Sequence, residues 1–299
     1  MKKYSIFHVQ GGIGKHVAAT AVAKTIKNNH PDRDLIVVCV YTDIFEGLNF
    51  VDRVYPLGGT KYFYQEYVKD KDSILFHHEP YYTTNHIHKK SGLIENWCGI
   101  YDLEYRGEMP ELHYNKLQKE TASTFWQTEK PLMVLHTNGG LMQQNAKPYS
   151  WTRDMPESVG QALVDHYKED YTIIQVTKNN SPKLNGAVPL FATAEQALST
   201  KEFFTILFSS EKRVLIDSSL QHAAAALKKQ STVLWNGTSP MVFGYDIHHN
   251  IMPEIDFDIN LPSSYLFDFS FEGEDVEYPY EEGAEIYNVD KIIASVDEQ

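Results

Sequence analysis

Ile216-Asp217-Ser218-Ser219-Leu220-Gln221-His222-Ala223-Ala224-Ala225, followed by Thr232-Val233-Leu234-Trp235-Asn236-Gly237-Thr238-Ser239-Pro240, is the stretch that decides the fold class. The apolar run Arg213 to Ile216 stops at a carboxylate and two hydroxyls. An alanine-rich helix from Leu220 to Leu227 follows. A second apolar run, Thr232 to Trp235, then ends in a polar loop. Strand, polar turn, helix, strand and polar turn form the repeating unit of a parallel sheet. Sheets of this kind bind ligands outside the carboxyl ends of their strands. Hydroxyls and free helix N–H groups at Asp217-Ser218-Ser219 would there converge on one spot, and His222 would add a further donor one turn on. The plainer alternative has Ser218 capping the helix, Asp217 serving backbone groups and His222 packing in the core.

The same alternation runs outward in both directions. Toward the amino terminus, Lys3 to Val9 reads as a strand and Val17 to Asn28 as a helix. Leu35 to Tyr41, Val51 to Leu57 and Ser73 to Phe76 are further strands. Tyr62 to Tyr105, rich in Tyr, His and Trp, reads as loops and short helices along one wall of a cleft. The pattern restarts near residue 130. Strands are expected at Leu132 to His136 and Tyr171 to Val176, and helices at Pro156 to Tyr167 and Thr200 to Ser209. The expected domains are 1–130, 131–260, and an acidic tail with a closing helix, Val289 to Val296, over 261–299. Glu272, Glu274, Asp275, Glu277, Glu281 and Glu282 in that tail read as a solvated surface.

The chain has 299 residues, a formal net charge of −13 and two cysteines, Cys39 and Cys98. Acidity of this size argues against a general nucleic-acid coat and confines any DNA contact to a patch. Two cysteines make no disulfide framework or zinc motif, and both read as buried structural thiols. No run approaches the roughly 20 apolar residues of a membrane span, and Met1 to Val9 does not resemble a signal peptide, so a cytoplasmic location is expected.

Gln10-Gly11-Gly12-Ile13-Gly14-Lys15-His16 follows the first strand and opens the first helix. Its glycines let a ligand approach the backbone, and the helix start attracts anions. The segment resembles the variant Walker loop of the MinD/ParA ATPases. It departs from it where Gln10 replaces the signature lysine and His16 the magnesium-binding hydroxyl.

A second resemblance covers most of residues 1–245. The strand, glycine turn and helix, then His30-Pro31-Asp32, then Asp52-Arg53-Val54, resemble the bacterial heptosyltransferases of glycosyltransferase family 9. The Asp217 to Pro240 run resembles that family's Asp-Ser/Thr-Gly-x-x-His-x-x-Ala-Ala block and the Gly-x-Thr-x-Pro loop after it. The resemblance implies an α/β GT-B fold, with two facing Rossmann-like domains and an active site in the cleft between them. It also implies inverting transfer of a sugar from a nucleoside-diphosphate donor, with no metal or other cofactor.

Donor-binding candidates are Thr137, Arg153, Asp217, Ser218, Ser219, His222, Gly237 and Thr238. Arg153 matches the family's lysine before a Trp-Pro-Glu-like helix start, with Lys147 as the fallback, and its guanidinium could grip a diphosphate with two bonds. Gly11, Gly12, Gly14, His78 and Tyr81 are acceptor-side candidates. The family's catalytic aspartate position is occupied by Lys15, which cannot deprotonate a hydroxyl while charged. Glu79 and His16 are therefore the candidate bases, with Lys15 beside them as a phosphate or carboxylate binder. His77, His78, His86 and His88 lack metal-site spacing. The acceptor is expected to be a surface saccharide or a hydroxymethylated base of phage DNA. An ATPase and an inert sugar-nucleotide binder are the other readings.

Overall fold

The computed structural model describes residues 1–139, 150, 152–191, 198–255, 280–281 and 283–299. Gly140, Lys147, Trp151 and most of the acidic tail, including Glu272, Glu274, Asp275, Glu277 and Glu282, lie outside the described residues.

Among the described residues ten strands form two all-parallel sheets. The first has the order β3-β2-β1-β4, with β1 Lys3–Val9, β2 Asp34–Cys39, β3 Arg53–Pro56 and β4 Asp72–Phe76. The second has the order β10-β9-β8-β5-β6-β7. Its strands are β5 Leu132–His136, β6 Thr172–Thr177, β7 Val188–Phe191, β8 Ser210–Ile216, β9 Thr232–Leu234 and β10 His249–Ile251. The helices of the amino-terminal half are α1 Ile13–Asn29, α2 Thr42–Phe45, α3 Phe63–Tyr67, α4 Thr84–Ile87, α5 Leu93–Ile100 and α6 Lys116–Phe125. Those that follow are α7 Glu157–Tyr167, α8 Thr200–Phe204, α9 Ile206–Ser209, α10 Ser219–Ala226, α11 Pro240–Phe243 and α12 Val289–Asp297.

Each sheet reverses its strand order once. In the first, β2 and β3 extend one way from β1 and β4 lies on the other side. In the second, β6 and β7 lie on one side of β5 and β8 to β10 on the other. The two crevices thus open after β1 and β4, and after β5 and β8. Such reversal points are where open parallel sheets bind ligands.

One apolar cluster runs through both halves, from Phe7, Val22 and Trp97 to Val134, Leu215, Ala224 and Trp235. At its centre α1 packs on α10. Val17, Ala18, Ala19, Ala21, Val22, Ala23 and Ile26 of α1 are all buried, as expected of a helix enclosed on several sides. Small side chains on both helices permit the close approach. A Cβ added at Gly14 would lie 2.8 Å from His222 Cδ2 and 3.3 Å from Ser219 Cα.

Polar contacts away from the cleft tie the halves as well. The Tyr114 hydroxyl donates to the Lys201 carbonyl at 2.6 Å, and the Lys201 N–H donates to Asp43 Oδ2 at 3.0 Å. Trp126 Nε1 donates to Thr205 Oγ1 at 2.8 Å. The expected helix from Thr200 to Ser209 is two short helices, because Thr205 ends the first and its hydroxyl turns back onto the Glu202 carbonyl. The short edge strands β7 and β10 and the helix α6 go beyond the elements read from the sequence.

Gly14→Ala should lower stability in urea unfolding by about 1–3 kcal/mol through overpacking against a ring and a backbone atom. Helix propensity returns at most about 1 kcal/mol of that. Gly12→Ala, where an added Cβ meets nothing within 4 Å, should cost less. Equal costs for the two would show that the α1–α10 contact is not tight.

Candidate active site

The residues singled out in the sequence divide into those whose polar atoms face the crevices and those already used by the protein. The two helix starts belong to the first group. Gly12 occupies the position before α1 and Ser218 the position before α10, and neither supplies a side-chain hydrogen bond to the helix N–H groups. Neither first turn carries an acidic residue. Two helix starts with their positive dipole ends thus come into contact through Gly14, Ser219 and His222. The Ser218 hydroxyl, expected as a possible cap, instead lies beside Gly139, where an added Cβ would come within 3.2 Å of it.

In the first turn of α1, Lys15 pairs with Glu79 of the loop after β4. The Lys15 ammonium also lies 5.0 Å from the centre of the Tyr81 ring and 5.3 Å from that of Trp97. Burial lowers it to about 8. Trp97 Nε1 donates to the His78 carbonyl at 3.0 Å and the Tyr101 hydroxyl to the same oxygen at 2.7 Å, pinning the loop that carries Glu79. The His78 and His77 side chains are exposed, with ring centres 4.4 Å apart. Tyr81 links the halves. Burial raises its phenol, which Arg153 draws down and Asp217 pushes up. Arg153 Nε lies 4.0 Å from Asp217 Oδ2.

Three expectations need correction. His16 is buried, its Nδ1 lies 2.9 Å from the Gly12 carbonyl, and its Nε2 accepts from the Val40 N–H at 3.3 Å. Burial also lowers its pKa. One ring nitrogen therefore holds the glycine turn and the other the chain just after β2, so neither is placed to take a substrate proton. The Thr137 hydroxyl is equally committed: it donates to Asn138 Oδ1 at 2.8 Å and accepts from Gln175 Nε2 at 3.0 Å. His222 packs in the core, with Nδ1 2.8 Å from the Tyr245 hydroxyl and Nε2 3.2 Å from Gln221 Nε2. It spaces the two helices and offers no further donor.

The second crevice is organised by a residue that the sequence reading passed over. Asp154 is fully buried and pairs with Lys178 at 3.2 Å. It also accepts from Gly139 N at 3.0 Å, Ser150 N at 2.9 Å and Asn138 Nδ2 at 3.1 Å. Its own carbonyl accepts from Asn236 Nδ2 at 2.7 Å, and Gly237 N donates to the Thr152 carbonyl at 2.9 Å. The loops after β5 and β9 are thereby locked to each other. Asp154 sits beside Arg153 in the sequence, and only its buried Lys178 partner, distant in the chain, reveals its role. Thr238 Oγ1, on the same loop, is buried without a hydrogen-bond partner among the described residues.

Among the described residues no group of three or more His, Cys, Asp or Glu is arranged to hold a metal ion, and no helix is long and apolar enough to cross a membrane. A depression of about 570 Å³ lies elsewhere, between edge strand β10 and α12, and no residue of the two crevices lines it.

Two parallel sheets with facing crevices joined by helix starts make a recognisable architecture. The fold is GT-B. The chain matches the structure of a glycosyl transferase family 9 protein from Veillonella parvula with a TM-score of 0.67 and 10% identity, over 99% of this chain and 96% of that one. It matches E. coli ADP-heptose lps heptosyltransferase II with a TM-score of 0.60 and 12% identity, over 84% and 90%. It matches the dodecameric iron-containing heptosyltransferase TibC, solved in complex with ADP-D-beta-D-heptose, with a TM-score of 0.61 and 13% identity, over 100% and 76%. No family model matches the chain, and no curated protein matches it in sequence. In fold the chain resembles the heptosyltransferase-like enzymes of family 9 along nearly its whole length.

Asp154→Ala should destabilise the protein by about 3–5 kcal/mol, because it strands a buried Lys178 ammonium. Pairing it with Lys178→Met should recover much of the loss in urea unfolding, and a double variant no better than the single would contradict the assignment. A pH effect follows from four buried histidines. In the fold His86, His136, His222 and His248 are lowered by burial from 6.5 to about 4. The unfolded chain therefore binds more protons between those values, and stability should fall as pH drops from 6.5 toward 4. Equilibrium unfolding at a series of pH values checks this, and a flat profile over that interval would count against neutral buried rings.

Proposed function

We propose that the protein is a glycosyltransferase that moves a sugar from a nucleoside-diphosphate donor to an acceptor hydroxyl with inversion at the anomeric carbon. The observation that carries this reading is the contact of two uncapped helix starts where the two crevices meet. A diphosphate placed there would receive N–H donors from both halves as leaving-group charge develops. The GT-B likeness supports the same reading, since the similar structures include heptosyltransferases and one of them holds ADP-D-beta-D-heptose.

In this reading residues 131–260 form the donor domain, with the α10 start, Arg153, the Asp217 and Ser218 turn and the Gly237-Thr238 loop around the diphosphate. Residues 1–130 form the acceptor domain, and 261–299 add the acidic tail and closing helix. Glu79 is the base. Its carboxylate takes the acceptor hydroxyl's proton as that oxygen bonds the anomeric carbon. The bond from the anomeric carbon to phosphate breaks, and the nucleoside diphosphate leaves with the electron pair.

A saccharide acceptor fits the surface better than a modified DNA base. Exposed side chains on the segments that follow β2, β3 and β4 include Val40, Leu57, Tyr62, Tyr64 and Tyr82. Flat aromatic faces suit a sugar ring, whereas a DNA backbone demands a row of cations. Lys61 is the one cation between Leu57 and Tyr64. The ATPase reading is weakened, because the Lys15 ammonium is engaged with Glu79, Tyr81 and Trp97.

A thermal-shift panel of adenosine, guanosine and uridine diphosphate sugars, with ADP-heptose first and ATP–Mg²⁺ as the control, tests the donor. A ligand at 100 times its Kd adds about 2.7 kcal/mol. Stabilisation by one nucleotide sugar should weaken in Arg153→Ala. Glu79→Gln should bind that donor normally and transfer at least about a hundredfold more slowly. Stabilisation by ATP–Mg²⁺ alone would overturn the transferase reading.

A further inference from the structure

We propose that Lys15 is a positioning residue for the base, holding the Glu79 carboxylate ionised and facing the cleft through a buried ion pair. The inference deepens the glycosyl-transfer reading and rests on it for what the carboxylate does.

The arrangement is asymmetric. The Lys15 side chain is 7% exposed and that of Glu79 is 29% exposed. The cation thus lies beneath, and the carboxylate is the member that an incoming acceptor meets. Three independent features hold the cation there. Gly11 has a φ of +92° and no Cβ, and an added Cβ would come within 3.3 Å of Lys15 Cδ, so the bare glycine leaves room for the lysine stem. The faces of Tyr81 and Trp97 cover the ammonium, and an aromatic face attracts a cation more strongly when water is excluded. The Glu79 carboxylate closes the remaining side.

The loop carrying Glu79 is fixed separately. Trp97 and Tyr101 both donate to the His78 carbonyl, so the peptide before Glu79 cannot swing away without losing two hydrogen bonds. Trp97 therefore acts twice, on the cation through its face and on the loop through its N–H. A base that must accept a proton in the transition state gains from such fixed geometry.

The charged surroundings are few. His8 on β1 and His77 on the loop after β4 share the field of Lys15, and burial with those two neighbours holds His8 below its ordinary value. From the other half, Arg153 and Asp217 reach the site through Tyr81 with opposite signs. Among the described residues Lys15 is thus the cation in direct contact with Glu79. Burial lowers its ammonium to about 8, so it carries its charge at neutral pH and loses it on the alkaline side.

The experiment follows the Glu79 carboxyl carbon by NMR across a pH titration of the full-length protein. In the native protein its midpoint should lie below the ordinary glutamate range. Lys15→Met keeps the apolar stem against Tyr81 and Trp97 and removes the charge, and it should raise the midpoint by about 1–3 pH units. Lys15→Arg should stay near the native value. With a donor identified, the acid limb of kcat/KM should move upward in Lys15→Met by the same interval, while donor binding by thermal shift stays unchanged. A native midpoint at or above the ordinary range overturns the proposal even if Lys15→Met fails to fold, and so does a midpoint unmoved in a folded Lys15→Met. Failure of every nucleotide sugar to stabilise the protein would instead defeat the transfer reading and leave the titration to decide the pair by itself.

Discussion

The contact between the first turns of α1 and α10 is the constraint around which the rest of the molecule is arranged. Each helix follows a strand beside the point where its sheet reverses order, and each begins without a side-chain cap. Two positive dipole ends brought together repel weakly and leave N–H groups unpaired, which costs stability unless water or an anion meets them. The contact is possible because Gly14 has no side chain and α10 is built of alanines around one buried, neutral histidine. Apolar packing through both halves outweighs the unfavourable ends. The result is two helix starts that present backbone groups at one place.

Charge is distributed to match. Each crevice contains a buried lysine, and each lysine is paired within its own half, Lys15 with Glu79 and Lys178 with Asp154. The two pairs do different work. Asp154 spends its oxygens on the backbone of the loops around it, so it fixes their shape and is inaccessible to ligand. Glu79 stays partly open. Buried carboxylates tolerate ionisation when they collect hydrogen bonds and a cation, which explains why the fully buried one has the larger set of partners. Neutral histidines are buried alongside, where the cost of burying a charged ring outweighs any neighbouring carboxylate.

Much of the scaffold was legible in the sequence because a parallel sheet writes itself as apolar runs ending in polar turns. β1 and β5 match the expected strands residue for residue, and α7, α10 and α12 match within one residue at each end. The short edge strands were not legible. Val188-Pro189-Leu190-Phe191 is a short apolar run broken by a proline, and His249-Asn250-Ile251 is three residues long with two polar members, so neither reads clearly as a strand. The site was legible in part. Glycine turns and the Asp217-Ser218-Ser219 turn announce backbone chemistry, but Thr137, His16 and His222 have the composition of ligand contacts and are used internally. Hydroxyls and imidazoles bond substrate and backbone equally well, and composition does not distinguish the two.

By itself, the sequence determined the strand and helix alternation, the places where glycine is required and the polar turns at strand ends, since these follow from local periodicity and backbone sterics. The tertiary structure alone decided which polar groups are spent and which remain open. Glu79 meets Lys15 across 64 residues of chain, Lys178 meets Asp154 across 24, and Gly14 meets His222 only when the two halves dock. Such pairings depend on strand order and on the approach of two helices, and no pattern of neighbouring residues encodes them.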